Sequence, residues 1–253
     1  MAESSLTLTY VDFSIRVADY LGLSRNSGNW SSSEQDRIDQ YVNAGLKRFL
    51  QAHNWSFFRE RATITTAASD YDYALADNCA NVEGPLLITG SSAYPPIDLG
   101  SEDLIIQLQT ANSGTGFPQI AALRPLAFDQ TATGTRWEII FWPTPDAVYT
   151  ISYNKVLKFE ELSSTNLYAP GGPYHDETML AAMKAEAEAD QNDGEEFWEK
   201  RYQRKLAESK DFDQRTMRTE RMGMMYDPGI NEAGGIDRSL RRNSTVTFDG
   251  TEY

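Results

Sequence analysis

The sequence predicts an α+β chain, a helical bundle built from its two ends with an antiparallel β-sandwich or small barrel inserted between them, and an extended C-terminal arm. Three observations carry this. Apolar residues recur at three- and four-residue spacing before position 58, and after position 173 an alanine-rich stretch and a long charged one with a thin apolar seam read as returning helices. Between Arg61 and Lys158 the chain is rich in Thr, Ile, Val and aromatics, broken by Gly, Pro, Asn and Asp, which is strand and turn composition. Beyond Met222, Asp227-Pro228-Gly229 and Gly234-Gly235 break any helix. The expected segments are 1–58 (N-terminal helices), 59–160 (β-rich insertion), 161–222 (C-terminal helices) and 223–253 (arm).

Thr9 and Asp12 stand three apart as a capping-box-like start for a short helix with Phe13, Val17, Tyr20 and Leu21 on one side. Ser31 and Glu34 repeat that signal. Ile38, Tyr41, Val42, Gly45, Leu46 and Phe49 then form one apolar stripe on which Gly45 would admit a close neighbour. Expected strands are Ala62 to Thr66, Tyr71 to Leu75, Leu86 to Thr89, Ile105 to Gln109, Gln119 to Leu123, Trp137 to Trp142 and Tyr149 to Val156. The last two form WEIIFWPTPDAVYTISYNKV, which reads as a hairpin whose Pro143 and Pro145 mark the loop and guard an edge. Its aromatics either line a ligand pocket or pack a small mechanical β layer. Alternation favours packing, because Trp137, Ile139 and Phe141 share one face and Tyr149, Ile151 and Tyr153 share another. His175 to Asp190 is alanine-rich and acidic at its start, and a long charged helix from Glu195 to about Arg221 has only a thin apolar seam.

Composition removes several function classes. Net charge is −14, against the basic patch of a simple nucleic-acid binder. The charge is uneven: Lys200 to Arg242 holds 11 basic and 7 acidic residues, +4, while the remainder holds 12 and 30, or −18. A basic arm on an acidic body reaches for something acidic, and a neighbouring copy qualifies. No window approaches a membrane span and residues 1–10 lack signal-peptide character, so the expectation is a soluble protein made in the cytoplasm, without membrane contact. The single cysteine, Cys79, reads as a small buried hydrophobe. The two histidines, His53 and His175, sit at expected helix boundaries, and His175-Asp176-Glu177 lacks the C-x-x-C pair a zinc deaminase requires. Gly114-Thr115-Gly116 has no following Gly-Lys-Ser/Thr, and neither H-E-x-x-H nor G-x-S-x-G occurs. Asp70 with Asp72, or Asp98 with Glu102 and Asp103, have no EF-hand spacing. No enzyme activity, metal or cofactor is expected.

The order of the pieces resembles the head-to-tail adaptor (connector) proteins of tailed bacteriophages, the group that includes the tail tubular protein A of short-tailed phages. The resemblance rests on Asn54-Trp55-Ser56-Phe57-Phe58 before a strand, Tyr71-Asp72-Tyr73-Ala74-Leu75-Ala76-Asp77 (with Ala76 where the group often has proline), Gly116-Phe117-Pro118, Pro143-Thr144-Pro145-Asp146, and Tyr174-His175-Asp176-Glu177 opening the returning helices. It implies a structural virion protein at the capsid vertex. Copies, usually twelve, form a ring between the portal protein and a tail or nozzle protein, and DNA passes without sequence-specific binding. It also implies a C-terminal extension that can insert against the portal; the charge of the arm adds a neighbouring subunit as a partner, and Tyr226, Arg238, Leu240, Arg241, Arg242, Phe248 and Tyr253 are the candidate contacts. Another tail component, a terminator or hub protein, and a carbohydrate-binding module using Trp137, Trp142, Tyr149 and Tyr153 are the alternatives.

Overall fold

The computed structural model describes residues 4–90, 94–112, 114–128, 130–131, 134–192, 197–217, 247–248 and 251–252. The chain divides into two compact units, Met1–Arg215 and Thr216–Tyr253. The first begins with α1 (Tyr10–Tyr20) and α2 (Ser32–Gln51), and both open on true capping boxes: Thr9 and Asp12 exchange bonds at one, Ser31 and Glu34 at the other. The chain leaves α2 through a single turn at Ser56–Phe58 and enters β1 (Arg59–Thr65), β2 (Asp72–Ala74), β3 (Cys79–Ile88) and β4 (Asp98–Leu99). Helix α3 (Glu102–Ala111) then precedes β5 (Thr115–Gly116), β6 (Ile120–Pro125), β7 (Trp137–Trp142), β8 (Thr144–Pro145) and β9 (Thr150–Leu157). The unit closes with α4 (Pro173–Asn192) and α5 (Phe197–Met217).

One apolar cluster joins all the terminal helices. Phe13 and Val17 of α1, Ile38, Val42 and Phe49 of α2, Met179 and Met183 of α4 and Tyr202 and Leu206 of α5 are buried together. Gly45 sets the spacing of the central pair: a Cβ there would stand 2.4 Å from Met183 Cα and 2.5 Å from Met183 N, so only glycine allows this approach. The stripe expected on α2 is the stripe that is buried.

The strands form two main sheets, β1-β9-β3 and β2-β7-β6-β4. Their facing side chains meet in a second cluster, with Val82, Leu86, Ile151 and Tyr153 from the first sheet and Ala121, Ile139 and Phe141 from the other. Cys79 packs in this cluster at 1% exposure, as the small hydrophobe expected of it.

Three expectations need correction. Ile105 to Gln109 is helix within α3, not strand: Ser101 caps it by accepting from Leu104 N, and Glu102 and Asp103 fill the positive first turn. As a crossover, α3 lets β4 pair with β6 in parallel, so this sheet is mixed, and β5 and β8 also pair in parallel. The Trp137 to Val156 stretch is not a hairpin, because β7 and β9 lie in different sheets. Neither proline nitrogen can donate to a ladder, so the chain turns a corner at Pro143–Pro145 and brings the two aromatic runs face to face. The Trp142–Pro143 peptide is cis. The far side of β7 is also covered, since Ile140 packs with Ile105 of α3 and Ala122 of β6.

In the second unit, β10 (Thr247–Phe248) pairs antiparallel with β11 (Thr251–Glu252), a short ladder where only extended chain is expected.

Candidate functional site

The elbow between α2 and β1 gathers both histidines of the chain around Trp55. Trp55 is fully buried, stacks on Phe49 (4.4 Å, 25°) and Phe57 (5.7 Å, 13°), and donates its indole N–H to Phe49 O at 3.1 Å. His175, in the first turn of α4, packs its ring against the side of this stack, 5.1 Å from Trp55 and 5.6 Å from Phe57. His175 is 2% exposed and its Nδ1 finds no partner among the described residues, and burial holds its pKa below the ordinary histidine range against the opposing field of Asp213. Gly171 is needed beside it: φ is +98°, and a Cβ would lie 2.7 Å from Phe57 and 2.9 Å from His175.

Asp213, near the end of α5, reaches into this elbow. Its buried carboxylate accepts from Ser56 N (3.2 Å) and Ser56 Oγ (2.5 Å), and His53 Nε2 lies 3.4 Å away. A serine, a histidine and an aspartate thus meet, but in the wrong order for catalysis. The carboxylate stands between the other two and accepts the hydroxyl's hydrogen bond itself, so the histidine is not placed to activate the serine. The trio is a brace that ties α5 to the entrance of the β region. A second brace starts α5: buried Glu188 of α4 accepts from the amides of Phe197 and Trp198 at 3.2 and 2.8 Å, satisfying donors that a helix N-terminus leaves orphaned. Arg48 of α2 holds Glu199 through both oxygens at 2.8 Å and Glu186 at 3.0 Å, over the ring of Tyr202.

The outer face of α2 is flanked by two grooves. One, about 450 Å³, lies against α5 at Tyr202, Gln203 and Leu206. The other, about 530 Å³, runs between α2 and Phe159–Glu161. Leu46, Leu50 and Phe159 give the second groove an apolar lining, and Asp36, Asp39, Glu160 and Glu161 surround it with carboxylates, against the one cation Lys47. Asp39 accepts from Tyr10 Oη at 2.5 Å, and burial together with that carboxylate pushes the Tyr10 phenol up to about 12. A further exposed aromatic pair caps the α4–α5 end, where Tyr174, 70% exposed, stacks on Phe212 (4.4 Å, 22°).

No cluster of three or more His, Cys, Asp or Glu suited to a metal occurs among the described residues, and no described helix is long and apolar enough to cross a membrane. The aromatics that would have formed a sugar platform are engaged elsewhere. Tyr153 is buried, Trp137 and Tyr149 pack on the inter-sheet cluster, and Trp142 is half-buried with its indole donating to Asn112 O at 3.2 Å. Of the arm contacts expected from the sequence, Tyr226, Arg238, Leu240, Arg241, Arg242 and Tyr253 lie outside the described residues; Phe248 sits in β10, with its side chain also outside them. Sequence reasoning missed the Ser56–Asp213 brace, which spans 157 positions, and the acid-rimmed groove. The one available signal for the groove was Glu160-Glu161 following the exit from β9.

No curated protein matches the chain. The sequence profile of the SU10 adaptor protein family matches residues 8–224, which takes in both groups of helices and the whole β region. The chain belongs to the SU10 adaptor protein family, a phage structural protein.

Proposed function

We propose that the protein is the head-to-tail adaptor of a virion. Copies stand side by side in a ring, of twelve as in the group the sequence resembles, beneath the portal protein. A tail or nozzle protein binds the opposite side, and the genome passes through the channel. The observation that carries this reading is the family match across residues 8–224. In this reading the terminal helices form a bundle that contacts neighbouring copies, the two packed sheets form a rigid sandwich toward the tail, and no catalysis takes place.

Two further observations support it. A net charge of −14 suits a channel wall that repels phosphate and lets DNA slide. The braces at Asp213 and Glu188 fix α5 at both ends, which suits a part that transmits load without flexing. Electron microscopy of capsid vertices decides the matter. We expect a ring of this chain between portal and tail, and particles lacking it should hold DNA but no tail. Density at the distal tail instead would favour a hub or terminator. Deletion after Met222 tests the arm: truncated chains should join DNA-filled, portal-bearing capsids less well than the full chain.

A further inference from the structure

The groove between α2 and Phe159–Glu161 matches one segment of the same chain. Its lining is apolar at Leu46, Leu50 and Phe159, and its rim carries Asp36, Asp39, Glu160 and Glu161. Asp36, Glu160 and Glu161 are exposed, so their charge faces outward. The occupant this chemistry selects is an apolar side chain flanked closely by cations, and arginine suits carboxylates best because its planar fork can bond both oxygens. The sequence Arg238-Ser239-Leu240-Arg241-Arg242 has that composition: one leucine with three arginines within two positions.

We infer that the groove is the receptor for residues 238–242 of a second copy of this chain, Leu240 entering the apolar lining and the arginines meeting the acidic rim. This rests on the proposed ring. Two copies of a −14 chain repel each other, and the +4 region from Lys200 to Arg242 is the segment that reverses that sign locally. The reach is sufficient. Helix α5 ends at Met217, and the 20 residues between it and Arg238 span at most about 70 Å when extended, more than the width of a domain of this size. That reach lets a neighbour's arm serve as the occupant, exchanged around the ring so that each copy both gives and receives one.

The test uses the full-length chain with a photo-crosslinking amino acid at position 240, mixed with isotopically heavy wild-type chain, in solution and on portal-bearing capsids. The expected product joins light position 240 to heavy α2 or Phe159–Glu161. Glu160→Lys with Glu161→Lys should lower its yield at least tenfold, and adding Arg241→Glu with Arg242→Glu to the crosslinking chain should restore it. Products confined to a single chain, products mapping to other surfaces, no product in either setting, or a yield indifferent to the charge reversals each overturn the inference. The adaptor reading fails separately: chains that exchange arms in solution but never join capsids would sink it and leave the groove assignment standing. A ring at the vertex with position 240 crosslinked to the portal would do the reverse.

Discussion

Helices α4 and α5 are nearly equal in length, 20 and 21 residues, and are used in opposite ways. Helix α4 is buried on almost every side. From His175 to Glu188 only Glu177 is exposed, and the positions facing neighbours are mostly alanine, methionine or leucine. Helix α5 buries a single line, Glu199, Tyr202, Leu206, Ser209 and Asp213, and leaves Lys200, Gln203, Arg204, Ala207, Glu208 and Asp211 in water. Small side chains let α4 be surrounded closely, whereas long charged ones confine α5 to the rim. The first helix is therefore sensitive to volume and the second to its few polar anchors.

That contrast can be attacked at graded points. The largest effect should come from Gly45→Ala, which drives a methyl into the α4 backbone at Met183. The helices must part, costing about 3 kcal/mol, and the better helix propensity of alanine returns only about 1 kcal/mol. Thermal unfolding should show a Tm lower by several degrees, and an unchanged Tm would mean that α2 and α4 are not so close. Next, Asp213→Ala leaves the Ser56 amide and hydroxyl without their acceptor and should cost about 1–2 kcal/mol in urea unfolding.

His175 gives α4 a pH dependence. Because burial depresses its folded pKa, the unfolded chain binds the proton more readily as pH falls. Its contribution is therefore complete above the unfolded value of about 6.5 and is lost as pH drops from there toward the folded value. Urea midpoints of wild type and His175→Leu, compared from pH 7 to 5, should diverge in slope, with wild type falling faster. Tyr202→Phe should go the other way from most core changes. The hydroxyl is buried with no partner among the described residues, so its removal should raise stability by about 0.5–1 kcal/mol while the ring stays beneath Arg48. Smallest of all is Arg215→Ala on the wet side of α5. Its pairing with Asp211 is exposed at both ends, and the unfolding midpoint should move by less than about 0.5 kcal/mol.

What the sequence made legible follows from range. The capping boxes at Thr9 and Ser31, the stripe on α2, the role of Gly45 and the alternation in β7 and β9 all depend on residues within a few positions of each other. The failures depend on partners far away or on competing local signals. Leu104-Ile105-Ile106 reads as strand by composition, yet Ser101 and two acids at its start stabilise a helix, and the apolar outer face of β7 was waiting for such a cover. The corner at Pro143–Pro145 reads as a hairpin loop because nothing local says that the two strands enter different sheets. The candidate groove needs α2 and residues 159–161 side by side, more than 100 positions apart, and no periodicity reports that.

The pairing of Gly45 with Met183 also has a consequence for the order of synthesis. All strands of the two main sheets lie between Arg59 and Leu157, so that region is complete once its own residues have left the ribosome. The stripe on α2, made earlier, has to wait for α4, 138 positions after Gly45. At bacterial elongation speeds that is roughly 7–28 s during which Ile38, Val42 and Phe49 have no helical partner from α4. The first helices made are thus among the last to be enclosed, and the nascent chain carries an open apolar strip that a chaperone or a premature contact with another nascent copy would find.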